Sequence, residues 1–128
     1  MMEFYKDTAT RNIRPELFSK DAEQLAIALS KEVNSNKGTQ MRKFYNEVVR
    51  LNALAKASAG DWDSILPYVH MLVAKSAYAE GRKLVTETFV KFIKESIGQI
   101  KSKEDLDVFA NAFESFVGFY KKYREKDD

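Results

Sequence analysis

The sequence predicts an all-α fold, a compact single-domain bundle of about five helices. Three observations carry that reading. Apolar residues recur at three- and four-residue spacing along most of the chain, the period of an amphipathic helix. No stretch shows strand-like alternation, and there is no internal repeat or low-complexity tract. The breaks between periodic segments are short and rich in Asn, Ser, Gly and Pro. At 128 residues the chain is long enough for one core, and without cysteine it has neither a disulfide framework nor a thiolate metal site.

In chain order, residues 1–17 read as an extended arm ended by Arg14-Pro15, because the residue before proline is pushed out of the helical region. The domain layout is therefore an N-terminal arm, 1–18, and a helical bundle, 19–128. Ser19 is placed to cap a first helix with the apolar row Ala22, Leu25, Ala26, Leu29 and Val33. Asn34 to Gly38 form a loop, and Thr39 is placed to cap a second helix that ends at Gly60-Asp61. The third helix begins near Ile65 or Pro67, with Pro67 in its first turn, and ends at Gly81, which suits a left-handed C-terminal position. A fourth, about 84–100, presents Val85, Phe89, Phe92, Ile93, Ser96, Ile97 and Ile100 on one side. The fifth opens on Ser102-Lys103-Glu104-Asp105, close to a capping box. It then shows Leu106, Phe109, Ala110, Phe113, Phe116, Val117 and Tyr120 as its stripe.

The charge is unevenly spread. Net charge is +2 overall, but residues 36–83 carry 8 Lys/Arg against 4 Asp/Glu, while each flanking third is close to neutral. On the second helix Arg42, Lys43 and Arg50 lie opposite the apolar stripe, Lys56 flanks them, and Glu47 is the one acid nearby. Surface helices usually mix signs so that i,i+4 pairs form. A one-sign face suggests a polyanion partner, although three cations on a solvated face also occur by chance.

The third helix is apolar almost all round, which predicts a central, buried helix; Tyr68 and Tyr78 are expected in the core, although two cations near them could also hold a sugar–phosphate chain with a base stacking nearby. Lys75 and Arg82 share a line on it. For Lys75, pairing with an acid or reaching solvent stands beside phosphate binding. For Arg82 and Lys83, favourable placement at a helix C-terminus stands beside ligand binding. Phe119 and Tyr123 fall away from the fifth helix's stripe and suit a protein interface.

Catalytic constellations are absent from the pattern. His70 is the one histidine and no phosphate-binding glycine loop exists. Asp61 and Asp63 read as capping residues. Glu104, Asp105 and Asp107 read as acids favoured by the helix macrodipole alone. The expectation is no catalytic residue, no metal and no cofactor. The opening residues lack a basic flank before an apolar stretch, and no run is long enough to span a membrane. A cytoplasmic protein without a membrane partner is expected.

Two segments together resemble a known family. Thr39-Gln40-Met41-Arg42-Lys43-Phe44-Tyr45-Asn46-Glu47-Val48 and Lys75-Ser76-Ala77-Tyr78-Ala79-Glu80-Gly81-Arg82 are similar to the signatures of the small subunit of type III-A CRISPR effector (Csm) complexes. The pattern around Phe109, Ala112, Phe113, Glu114, Phe116, Val117, Phe119, Tyr120 and Lys121 resembles that family's last helix. The resemblance covers about residues 19–124. It implies a non-catalytic antiviral-defence subunit that stacks beside the backbone and large subunits and neighbouring copies of itself. Such a subunit binds guide and target RNA backbone without reading sequence. Within the motifs it points to Arg42 and Arg82. Lys43, Arg50, Lys56, Lys75 and Lys83 join them as candidate RNA-binding residues on the face argument alone. The alternative is a helical adaptor whose basic face meets an acidic protein and binds no RNA. An enzyme, for example a nuclease, would require turnover that disappears on His70→Ala.

Overall fold

The computed structural model describes residues 2–7, 9–57 and 61–124. A 3-10 turn, Pro15–Phe18, leads into five α-helices: α1 (Lys20–Ser30), α2 (Gly38–Ala57), α3 (Trp62–Gly81), α4 (Glu87–Ile97) and α5 (Lys103–Tyr123). Strands are absent among the described residues, and the all-α bundle stands. Gly60, expected at the end of the second helix, lies outside them.

α5 is the axis of the bundle and packs on α1 and α2, while α3 packs on α4 and α2. Its stripe carries the core: Leu106, Phe109, Phe113 and Phe116 are fully buried. α4 inserts Phe92 into that row, its ring 5.6 Å from Phe113 and 5.8 Å from Phe109. Phe44 of α2 meets Phe89 edge-on at 5.0 Å. Each such ring pair adds about 0.5–1.5 kcal/mol beyond its buried area. All seven residues expected on the fourth helix's apolar side are buried, although the helix is shorter than the expected 84–100.

Local punctuation departs from expectation where tertiary contacts decide it. Thr39 is the second residue of α2 rather than its cap. Ser19 precedes α1 but makes no side-chain cap; its hydroxyl instead donates to the Pro15 carbonyl. Pro67 is the sixth residue of α3, where it removes the N–H partner of the carbonyl of the exposed Asp63. Gly81 is still helical, and the left-handed residue is Lys83, φ 62°. There the Leu84 N–H bonds the Ala79 carbonyl and the Lys83 N–H bonds Glu80, each at 2.9 Å, closing a Schellman motif. Ser102 does cap α5, its hydroxyl accepting the Asp105 N–H at 3.3 Å.

The segment before Ser19 is not an extended arm. It doubles back through a Tyr5–Ile13 antiparallel bridge, and it buries Phe4 against Phe109 and Leu17 in the core. What anchors it is Asp105, which is 2% exposed and accepts from the Tyr5 hydroxyl, the Arg11 guanidinium and the Lys101 N–H. Asp105 therefore does more than complement a macrodipole. Burial alone would raise its carboxyl, but these donors and the Arg11 charge together hold it below the ordinary carboxylate value. The Tyr5 hydroxyl, desolvated and beside that carboxylate, is pushed up to about 12.

A second buried polar junction ties the α1–α2 loop to the start of α4. Asn36 is fully buried at φ 58°. Its side chain accepts the Thr86 N–H and donates to Glu32, both at 3.0 Å, and its carbonyl accepts from the Tyr120 hydroxyl. Arg124 closes the junction, donating to the Ser35 carbonyl and the Tyr120 hydroxyl at 3.1 Å each. The expected loop is thus present over 34–37, with Gly38 already opening α2, and it is held from inside.

Candidate nucleic-acid interface

α3 is not central. Ile65, Val69, Leu72, Ser76 and Ala79 form its buried side. The side next to it leaves Tyr68 57%, Met71 47% and Tyr78 65% exposed. Both tyrosines expected in the core are therefore on the surface. With the neighbouring edge of α2 this side encloses an open groove of about 560 Å³, floored by Phe44, Met71, Leu72 and Leu84 and rimmed by Lys43, Lys75 and Tyr78.

The structure divides the seven candidate cations. Lys43, Arg50 and Lys75 gather on the groove side of α2 and α3 around Glu47. The Glu47 carboxylate takes Arg50 through both oxygens at 2.8 and 2.9 Å and Lys75 at 3.2 Å. The Arg50 hydrogen bonds and the added Lys75 contact hold that carboxyl at about 2, against the upward push of burial. Arg82 sits at the far end of the same α3 edge. Its guanidinium donates to the Tyr78 hydroxyl at 3.1 Å and lies 5.9 Å from the ring centre. Lys83 is exposed on the left-handed turn just beyond, and the described residues offer it and Lys43 no ion pair.

The other two cations face elsewhere. Arg42 points to the opposite edge of α2, where it borders a narrow cleft with Val117 and Lys121 of α5. Lys56 bonds Asp107 of α5 at 2.9 Å, and Asn52 donates to the same carboxylate. The face read from the helical wheel is two faces in space. Arg50, Lys56 and Lys75 each have an acid partner; two of these pairs bridge helices, which sequence spacing does not reveal. Sequence reasoning also passed over Met71 and Leu84 and misplaced Tyr68 and Tyr78.

The remaining candidates are quiet. His70 is exposed, and among the described residues no group of His, Asp and Glu is arranged to hold a metal ion. Of the two aromatics expected at an interface, Phe119 is half-buried against the core, and Tyr123 donates to Glu23 at 2.7 Å. No helix among the described residues is long and apolar enough to cross a membrane.

The family model described as Csm2 Type III-A matches residues 12–126. The chain belongs to the Csm2 family. That match extends seven residues closer to the N-terminus than the resemblance at Ser19, into the hairpin that Asp105 anchors. No curated protein and no solved structure matches the chain. Membership identifies a small structural subunit of a type III-A complex. The matched residues include the basic segments of α2 and α3 and the aromatic row of α5.

Proposed function

We propose that this Csm2-family chain stacks along the guide filament of a type III-A interference complex. There it binds guide and target RNA through phosphate contacts from α2 and α3, without catalysis and without reading sequence. The observation that carries the reading is the excess of exposed cations over acids along these two helices. Arg50 and Lys75 share one carboxylate, Glu47, Lys43 lines the same groove, Arg82 lies further along the α3 edge, and Arg42 and Lys83 are on adjoining surface. Guide–target pairing supplies sequence specificity in an RNA-guided complex, so such a subunit needs only backbone contacts. Weak contacts repeated by neighbouring copies then add through multivalency.

The geometry ranks the candidates. Arg42, Lys43, Arg82 and Lys83 carry no acid partner among the described residues and are the first contacts. Lys75 and Arg50 reach phosphate by sharing or leaving Glu47, and Lys56 by leaving Asp107. Salt titration of RNA binding tests this. Arg42→Ala and Arg82→Ala each lower the slope of log affinity against log salt by about 0.7 on single strands, equally for unrelated sequences. Unchanged slopes in both variants would remove the assigned faces. Salt-sensitive binding to an acidic protein with no RNA retention would favour the adaptor.

A further inference from the structure

We infer that the exposed edge of α3 seats unpaired nucleobases, so that this surface holds single-stranded RNA by its bases as well as its phosphates. The inference rests on the backbone-binding reading above and deepens it. Tyr68, Met71, Lys75, Tyr78 and Arg82 follow one another in steps of three, four, three and four residues. That spacing puts them on one line of the helix. Along it aromatic or thioether surface alternates with positive charge.

These exposures are not explained by a shortage of core positions, since the adjoining row of the same helix is buried. Apolar side chains left uncovered beside a groove mark a contact surface. A single strand offers what this line lacks, regularly spaced anions and flat apolar faces, and base–aromatic stacking tolerates any sequence. A duplex keeps its bases stacked inside and presents phosphates only. Arg82 above Tyr78 adds a guanidinium plane against which a base on that ring also packs. A protein helix laid in the groove would have to answer Lys43, Arg50, Lys75 and Arg82, for which the described residues provide ion pairs only from Glu47, to Arg50 and Lys75, so the charge favours RNA.

The experiment compares the full chain's binding to a short single-stranded RNA with its binding to an abasic strand of the same length and phosphate count. Fluorescence anisotropy at low salt is the readout. The wild type prefers the base-bearing strand by about fivefold or more. Tyr78→Ala removes that preference without changing the salt slope, Tyr78→Phe keeps it, and Lys75→Ala lowers the slope while leaving the preference. Circular dichroism confirms folding, which substitution of so exposed a ring leaves intact.

Equal binding of both strands, or a preference that survives both Tyr78→Ala and Tyr68→Ala, overturns the inference while leaving phosphate binding in place. Binding of neither strand, by the free chain or by the assembled complex, overturns both. Loss of assembly in Tyr78→Ala with an unchanged base preference shows that the strip holds a protein helix, and also overturns it.

Discussion

At the Asn36 junction the polar groups are answered inside the chain, whereas along the α2–α3 groove they are answered by exposed surface pairs or left to solvent. Asn36 uses its N–H, its carbonyl and both side-chain atoms, and Glu32 accepts from Asn36, Thr86 and Thr88. Among the described residues that line the groove Glu47 is the one acid and pairs both Arg50 and Lys75, and Tyr78 is 65% exposed. The first arrangement fixes three chain segments in one geometry. The second leaves charge and apolar surface that only another molecule can satisfy. Stability and recognition are therefore housed in different parts of one small bundle, and substitutions should separate them.

The largest effect should come from the junction. Asn36→Ala deprives the partly buried Thr86 N–H and Glu32 of one partner each, and it puts alanine at a positive φ that asparagine tolerates better. Each unsatisfied buried group costs about 1–3 kcal/mol. A loss of about 3 kcal/mol in urea unfolding is expected, with RNA affinity of the folded fraction unchanged. An equal loss of affinity in the folded fraction would show that the two regions are coupled, and the comparison would fail.

The Asp105 network lies between the two extremes, a buried carboxylate with partly exposed partners. Its pH dependence follows from the two shifts. Tyr5 has a folded value raised to about 12, so its contribution is complete below about 10 and is lost as pH rises from there towards 12. Asp105 is lowered, so its contribution is present above the ordinary carboxylate value and is lost as pH falls below it. Solvent screening around the exposed partners keeps either limb to about 1 kcal/mol or less. Thermal midpoints across pH should show a plateau with both limbs, and Tyr5→Phe should remove the alkaline one. A limb that persists in Tyr5→Phe would assign it to another group.

How much of this was readable in advance differs between the regions for a physical reason. The rows on α4 and α5 follow from periodicity because they bury one face within the chain. α3 has the same hydropathy on two sides, and hydropathy does not say whether a side is covered by the chain's own helices or by a partner. Tyr68 and Tyr78 were misplaced for that reason. The cations were legible one helix at a time. Lys75 with Glu47 and Lys56 with Asp107 join helices across 28 and 51 residues, distances that spacing rules do not span. The left-handed position fell on Lys83 rather than Gly81 because the loop is held there: Ser35 donates to the Lys83 carbonyl at 2.9 Å and Asn36 to that of Leu84 at 3.0 Å.

The smallest expected effect is also the most discriminating between the two regions. Glu47→Gln keeps the size and the hydrogen-bonding oxygen but removes the negative charge that Arg50 and Lys75 share. At the junction, losing a partner strands a buried group. Here Lys75 and Arg50 are about half exposed, and water takes the place of the carboxylate, so the thermal midpoint should move by no more than about 2 °C. RNA binding should respond in the opposite sense to an ordinary loss of contact. A phosphate no longer competes with Glu47 for Lys75, so about one more counterion is displaced per chain. On a single strand this steepens the salt slope by about 0.7 and tightens binding about fivefold at 0.1 M salt. If Glu47→Gln instead weakens RNA binding, the carboxylate is positioning Lys75 and Arg50 for phosphate rather than competing with it. The groove would then be a preorganised site in the manner of the junction, and the contrast between the two regions would no longer hold.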